Sequence, residues 1–163
     1  MNNYLFDMNN IIPTIDKKPC KAKPRYIKPD SVKRLESDFQ EWKYKSLPNI
    51  PYQVKPKFRD DTANGLTDCL AKWCQINDAH FQRMNSQGQY DAKLKIWRRS
   101  GSTKGISDTL IIYRGQTIHI EIKVGKDKQS EAQKKMQVSV EASGGIYWVI
   151  KSFDQFINQI NSL

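Results

Sequence analysis

Asp108-Thr109-Leu110-Ile111-Ile112-Tyr113-Arg114-Gly115-Gln116-Thr117-Ile118-His119-Ile120-Glu121-Ile122-Lys123 is the stretch that decides the fold. Two runs rich in β-branched residues flank Arg114-Gly115, a two-residue connection of the kind that closes an antiparallel hairpin. That turn pairs Tyr113 with Gln116. Counting back along both strands sets Asp108 opposite Glu121, with Cβ atoms about 4.5–5.5 Å apart. Side chains alternate along a strand, so Lys123 shares a face with Glu121, and Ile118, Ile120, Ile122 and Val124 make the opposite, apolar face. Two carboxylates and one lysine on the polar side of a hairpin suit hydrolysis of a phosphodiester with a divalent cation. Carboxylate oxygens hold a hard ion, and the ammonium neutralises phosphate charge or holds the water. The same residue types are common on any solvated hairpin face, so the surroundings have to carry the argument.

Upstream of the hairpin, Leu66, Cys69, Leu70, Trp73 and Cys74 recur at helical spacing and predict a first helix. A strand is expected over Ala79–Met84, then a polar loop from Asn85 to Lys104 that holds the basic run Trp97-Arg98-Arg99. Downstream, Ser130 with Gln133 three residues on reads as a capping box. The helix it opens takes Ala132, Met136 and Val140 as its core face and stops at Gly144. Ile146–Ile150 reads as a buried strand. Ser152 and Gln155 form a second capping box, opening a last helix with Phe153, Phe156, Ile157 and Ile160 on one side. The expected class is mixed α/β, in the order α-β-β-β-α-β-α after residue 60.

Composition breaks near residue 60. All seven prolines lie between Pro13 and Pro56, and all eight glycines between Gly65 and Gly145. Residues 1–60 therefore read as a proline-rich, basic extension, either an arm or a wrap over the core, and residues 61–163 as the main domain. One helix is expected in the extension over 31–47, capped by Ser31 and carrying Val32, Leu35, Phe39 and Trp42. Its aromatic residues call for docking on the core or on a second copy of the chain. The net charge of +10 favours a polyanionic partner, nucleic acid first; charge alone does not choose between DNA, RNA and an anionic surface. No apolar run approaches the ~20 residues that cross a bilayer, and the first ten residues lack the layout of a signal peptide. Cys20, Cys69 and Cys74 are odd in number and lack metal-site spacing, which points to a reducing, cytoplasmic setting without a zinc site.

Taken together, Gly105-Ile106-Ser107-Asp108, Ile120-Glu121-Ile122-Lys123, Gln129-Ser130-Glu131-Ala132-Gln133 and Gly144-Gly145 resemble the PD-(D/E)XK nuclease superfamily. Within it they are similar to the VRR-NUC (virus-type replication-repair nuclease) branch, and Ala63-Asn64-Gly65-Leu66-Thr67 is similar to its small phage members. The resemblance spans about Ala63 to Ile160. It implies a restriction-endonuclease-like core and an endonuclease acting on phage or mobile-element DNA in replication, recombination or repair. Asp108 and Glu121, with the carbonyl of Ile122, would hold Mg²⁺ or Mn²⁺; Lys123 would be the catalytic lysine, and Gln133 would stand beside the site. Two positions depart from the pattern. Ser107 stands where the signature usually has proline. The glutamate that many relatives carry on the first helix has no counterpart among Asn64, Thr67 and Asp68, of which Asp68 is the candidate substitute. Without that glutamate, an alternative reading is a nucleic-acid-binding accessory protein on the same fold, with catalysis weak or lost.

Further candidates follow from position. His119 shares the strand face of Glu121, and Ser130 precedes Gln133. Arg83, Arg98, Arg99, Lys104, Lys126 and Lys128 flank the acidic pair in sequence and are candidate phosphate contacts. Trp97 and Tyr113 could stack on splayed bases, against the plainer role of packing.

Overall fold

The hairpin forms in the expected register, Tyr113 opposite Gln116 and Thr109 opposite Ile120. Its turn is of the primed kind: Arg114 (φ 50°) and Gly115 (φ 77°) both take left-handed backbone, the twist that a tight hairpin requires. The computed structural model describes residues 25–47, 49–84, 88–98 and 101–163. Their elements are α1 (Asp30–Tyr44), α2 (Ala63–Ile76), β1 (His80–Arg83), β2 (Gln89–Asp91), β3 (Ile96–Arg98), β4 (Thr109–Tyr113), β5 (Gln116–Ile122), α3 (Glu131–Ala142), β6 (Ile146–Ile150) and α4 (Phe153–Ile160). The class is mixed α/β. One sheet has the order β1-β4-β5-β6, antiparallel except for β6, which runs parallel to β5.

The apolar face of this sheet makes the core. Ile111, Ile118 and Ile120 have no exposed surface and join Leu66, Cys69, Leu70 and Cys74 of α2 with Phe153, Phe156 and Ile160 of α4. Each large side chain removed from water in this way contributes about 1.5–3 kcal/mol. The α1 helix packs on α2 and α4, and its Val32 and Leu35 belong to the same cluster. The helix therefore docks on the core. Asp60 fastens the preceding chain, accepting from Tyr26 Oη at 2.8 Å and from the backbone of Phe153 at 3.0 Å.

Several expectations need correction. The cap residue of α1 is Pro29, and Ser31 lies inside the helix. Proline has no amide hydrogen to orphan and pre-sets the extended backbone at that point. Trp42 stays 39% exposed, partly covered by stacking on Phe39 at 5.7 Å. Ala63 to Thr67 forms the first turns of α2, and the helix is capped by Thr62, whose side chain accepts from the Gly65 amide at 3.1 Å. The polar loop expected over 85–104 contains the β2–β3 ribbon, where Tyr90 pairs with Trp97. Short strands with one cross-strand aromatic pair leave little periodicity to detect. Finally, Ala132, Met136 and Val140 do not make a core face, since no residue of α3 is buried.

Candidate functional site

The α3 helix packs over β6 at one end of the polar face, and what lies beneath it is charged. Residue alternation on β5 sends Ile118, Ile120 and Ile122 into the core and His119 and Glu121 to the other side. Glu121 has no exposed surface and Lys123 only 7%, so the face expected to be solvated is closed. The closure comes from α3 and β6. Gln133, in the first turn of α3, donates through Nε2 to Glu121 Oε1. Its Oε1 accepts from the Ser130 amide at 2.8 Å, while Ser130 Oγ accepts from the Gln133 amide at 3.3 Å. One side chain thus completes the capping box and clamps the buried carboxylate. Ser130 itself is the helix cap.

Lys123 Nζ lies 2.9 Å from Glu121 Oε1 and 3.3 Å from Asp127 Oδ2. Tyr147, on β6, donates its hydroxyl to Glu121 Oε2 at 3.4 Å. Its ring lies parallel to that of His119 at 6.2 Å, and His119 Nδ1 is 3.2 Å from Ser107 Oγ. Tyr147 and Asp127 are the members that sequence reasoning missed. The parallel pairing that sets Tyr147 beside His119 is a crossover through α3, and no local pattern encodes it. The lysine's approach to Asp127, four positions on, was legible as a charge pair.

Asp108 ends the strand pairing. Its carbonyl accepts from the Met84 amide at 2.8 Å, and its Oδ2 accepts from the Ile122 amide at 2.8 Å. Beyond Thr109–Ile120 the carboxylate replaces the next backbone partner, so β4 and β5 part at this point. Glu121 senses Asp108 across the gap. Burial pushes the Glu121 carboxyl above its usual range, Lys123 pulls it back, and the negative charge of Asp108 pushes it further up. Burial lowers Lys123, but the Glu121 and Asp127 carboxylates outweigh that and its net shift is upward. Tyr147 is raised by burial and by Glu121, and His119 is lowered by burial.

The remaining candidates are dispersed. Ile122 has its side chain in the core and its amide on Asp108. Arg83 donates to Asn64 Oδ1 at 2.8 Å. Arg98 pairs with Asp91 at 2.7 Å on the ribbon. Lys126 and Lys128 are exposed on the segment directly after Lys123, Lys104 is exposed, and Asp68 is exposed on α2. Arg99 lies outside the described residues. Gly105 lets this end of the molecule close: it takes φ 84°, and a Cβ there would stand 2.4 Å from the Ala132 carbonyl at the start of α3.

Among the described residues no three His, Cys, Asp or Glu side chains converge as a set able to hold a metal ion. The donors on offer are two carboxylates, Asp108 and Glu121, with the main chain of β5. This is a hard-oxygen set of the size Mg²⁺ accepts when water and substrate phosphate fill its other positions. The charge balance also fits: Glu121 and Asp127 share one ammonium, Lys123, and Asp108 adds a further negative charge that acts on Glu121. Cys69 and Cys74 are buried thiols on α2 with pKa values raised to about 12, unsuited to metal ligation or redox work. No helix among the described residues is long and apolar enough to cross a membrane. No protein-family model and no curated protein matches the chain.

Proposed function

We propose that the chain is a metal-dependent DNA endonuclease in which Asp108 and Glu121 hold Mg²⁺ or Mn²⁺. The observation that carries this reading is the buried Glu121 carboxylate. It is clamped by Gln133 and Lys123 and has a second carboxylate, Asp108, close enough to raise its proton affinity. A second negative charge beside a buried carboxylate is costly, and a divalent cation held by both would offset it beyond what Lys123 supplies. The element order α2-β1-β4-β5-α3-β6-α4, taken with the ribbon as an insertion, supports the PD-(D/E)XK reading.

When bound, the cation would supply an acidified water and neutralise phosphate charge. The chain's own residues do the rest. Gln133 and Tyr147 fix the direction of the Glu121 carboxylate. Lys123, drawn towards the surface by Asp127, meets the charge that develops on the phosphate oxygens. Lys126 and Lys128 sit on the adjoining exposed segment, where phosphates on either side of the scissile bond would pass. By the same resemblance the products carry 5′-phosphate and 3′-hydroxyl, and the setting is replication, recombination or repair of phage or mobile-element DNA.

The test is a panel of linear, single-stranded, flap and four-way DNA with Mg²⁺ or Mn²⁺. Asp108→Ala, Glu121→Ala and Lys123→Ala should each lower cleavage by about 10³-fold or more, a barrier increase of about 4 kcal/mol, with DNA binding retained. Full cleavage in EDTA, or by the Glu121 variant, would defeat the proposal. One observation favours a second reading, a binding protein with weak or lost catalysis: no third carboxylate joins the pair among the described residues. That reading expects salt-dependent DNA binding without divalent metal, and no product with Mn²⁺.

A further inference from the structure

We infer that the β2–β3 ribbon is a base-stacking arm for single-stranded nucleic acid. This rests on the nuclease reading for its context but uses a different surface. Tyr90 and Trp97 face each other across the ribbon with ring centroids 5.5 Å apart, yet they remain 49% and 73% exposed. A tryptophan left that open in a chain with a well-formed core offers a bare aromatic face, and a nucleobase is a flat partner that can cover it without a shaped pocket. The charge around the rings selects the class of partner. Within residues 88–98 the cations are Lys93, Lys95 and Arg98, against the single acid Asp91. Asp91 is already engaged: one oxygen accepts from the amides of Lys93 and Leu94, and the other pairs with Arg98 at 2.7 Å. The lysines are left to meet phosphates. Leu94 and Ile96 are also exposed, but an apolar protein partner would gain nothing from the surplus of cations beside them.

The arm is tethered at the candidate site. Arg83 is the last residue of β1, and the next amide, Met84, bonds the Asp108 carbonyl at 2.8 Å. Tyr90 follows Met84 by six residues, a reach of at most about 22 Å. That spans about six stacked base steps at about 3.4 Å each. A strand lying on Trp97 and Tyr90 would therefore meet the proposed cation site within a few nucleotides, which selects substrates with an unpaired stretch beside the cleaved bond.

The experiment uses the full chain carrying Glu121→Gln, in EDTA, so that no cleavage intervenes. Anisotropy titrations compare an oligothymidylate, an oligouridylate and a duplex of about 12 nucleotides or base pairs each. Adding Trp97→Ala should weaken both single-stranded ligands about tenfold and the duplex by less than about twofold; Trp97→Phe, which keeps a ring, should stay within about threefold of the parent. Undiminished single-strand affinity in Trp97→Ala overturns the inference, as does a loss that Trp97→Phe shares in full. A fall in assembly mass with unchanged single-strand affinity also overturns it and assigns the surface to a protein contact. The nuclease reading is separable: duplex cleavage by wild type with Mn²⁺ does not require the ribbon, and stacking in EDTA does not require the cation.

Discussion

The two faces of the main sheet use opposite means to exclude water. The face towards α2 and α4 is dry and apolar: Ile111, Ile118, Ile120, Leu66, Leu70 and Phe156 have no exposed surface and little to hydrogen-bond. The face towards α3 is closed only at one end, over Glu121, Lys123 and Tyr147, while Ile112 and Thr117 further along it stay exposed, and α3 buries none of its own residues there. The first face holds the chain folded through area removed from water. The second holds polar groups that contribute little net stability and whose geometry is costly to change. A fold that needed only a lid could have used leucines under α3. On the reading proposed above, the buried carboxylate held against an ammonium and an amide is there for chemistry.

The largest expected effect separates the two faces. Phe156→Ala removes a ring without exposed surface that packs against Trp73, Trp148 and Phe153. It should cost about 3–5 kcal/mol of stability, read as a fall in the urea midpoint. Glu121→Gln, equally buried, should stay within about 1 kcal/mol, because the amide keeps its shape and an acceptor, and Asp127 still pairs with the Lys123 ammonium, while the proposed cleavage is lost. Equal destabilisation by both changes would erase the distinction between the faces.

Next in size is the ion pair. Lys123→Met leaves the Glu121 carboxylate buried with Gln133 and Tyr147 alone, and should cost about 3 kcal/mol. The double variant Glu121→Gln, Lys123→Met removes both charges and should recover most of that loss. A thermal or urea double-mutant cycle reads the coupling directly. If the losses simply add, the two groups are not a pair in solution.

The difference between the faces also explains what could be read in advance. The apolar face is written in local periodicity: Leu66, Cys69, Leu70 and Cys74 on α2, alternate isoleucines on β5, and Phe153, Phe156 and Ile160 on α4 all fall where spacing puts them. The hairpin register was legible because a two-residue turn leaves only one pairing. So was the clamp's first half, since Ser130 and Gln133 carry a capping box. On the polar face the same periodicity misleads. Glu121 and Lys123 have the pattern of solvated residues, and only the parallel crossover to β6 and the placement of α3 above them close the face. The ribbon escaped because three-residue strands with Tyr90, Ile96 and Trp97 exposed carry no buried side to reveal them.

The smallest effect, and the one that probes the polar face most directly, is in the pH profile. Burial, aided by Asp108 and opposed by Lys123, raises the native Glu121 carboxyl above its ordinary 4.5. The native chain then holds this proton more tightly than the unfolded chain. Below the ordinary value both states are protonated and the contribution to stability is complete. As pH rises from there through the raised native value, the contribution is lost, by at most about 1.4 kcal/mol per pH unit. Lys123 works in a separate window: its raised value keeps its contribution intact up to its ordinary 10.5 and loses it only above. The difference between wild type and Glu121→Gln in urea unfolding, across mildly acidic pH, isolates the Glu121 step from every other carboxylate. Mn²⁺ should work against the slope, since a cation binds the ionised carboxylate; at a hundredfold excess over its Kd it stabilises wild type by about 2.7 kcal/mol and leaves Glu121→Gln nearly unmoved. Parallel profiles for the two proteins, with and without Mn²⁺, would mean that Glu121 ionises as easily folded as unfolded. The polar face would then be no more than a wet version of the apolar one.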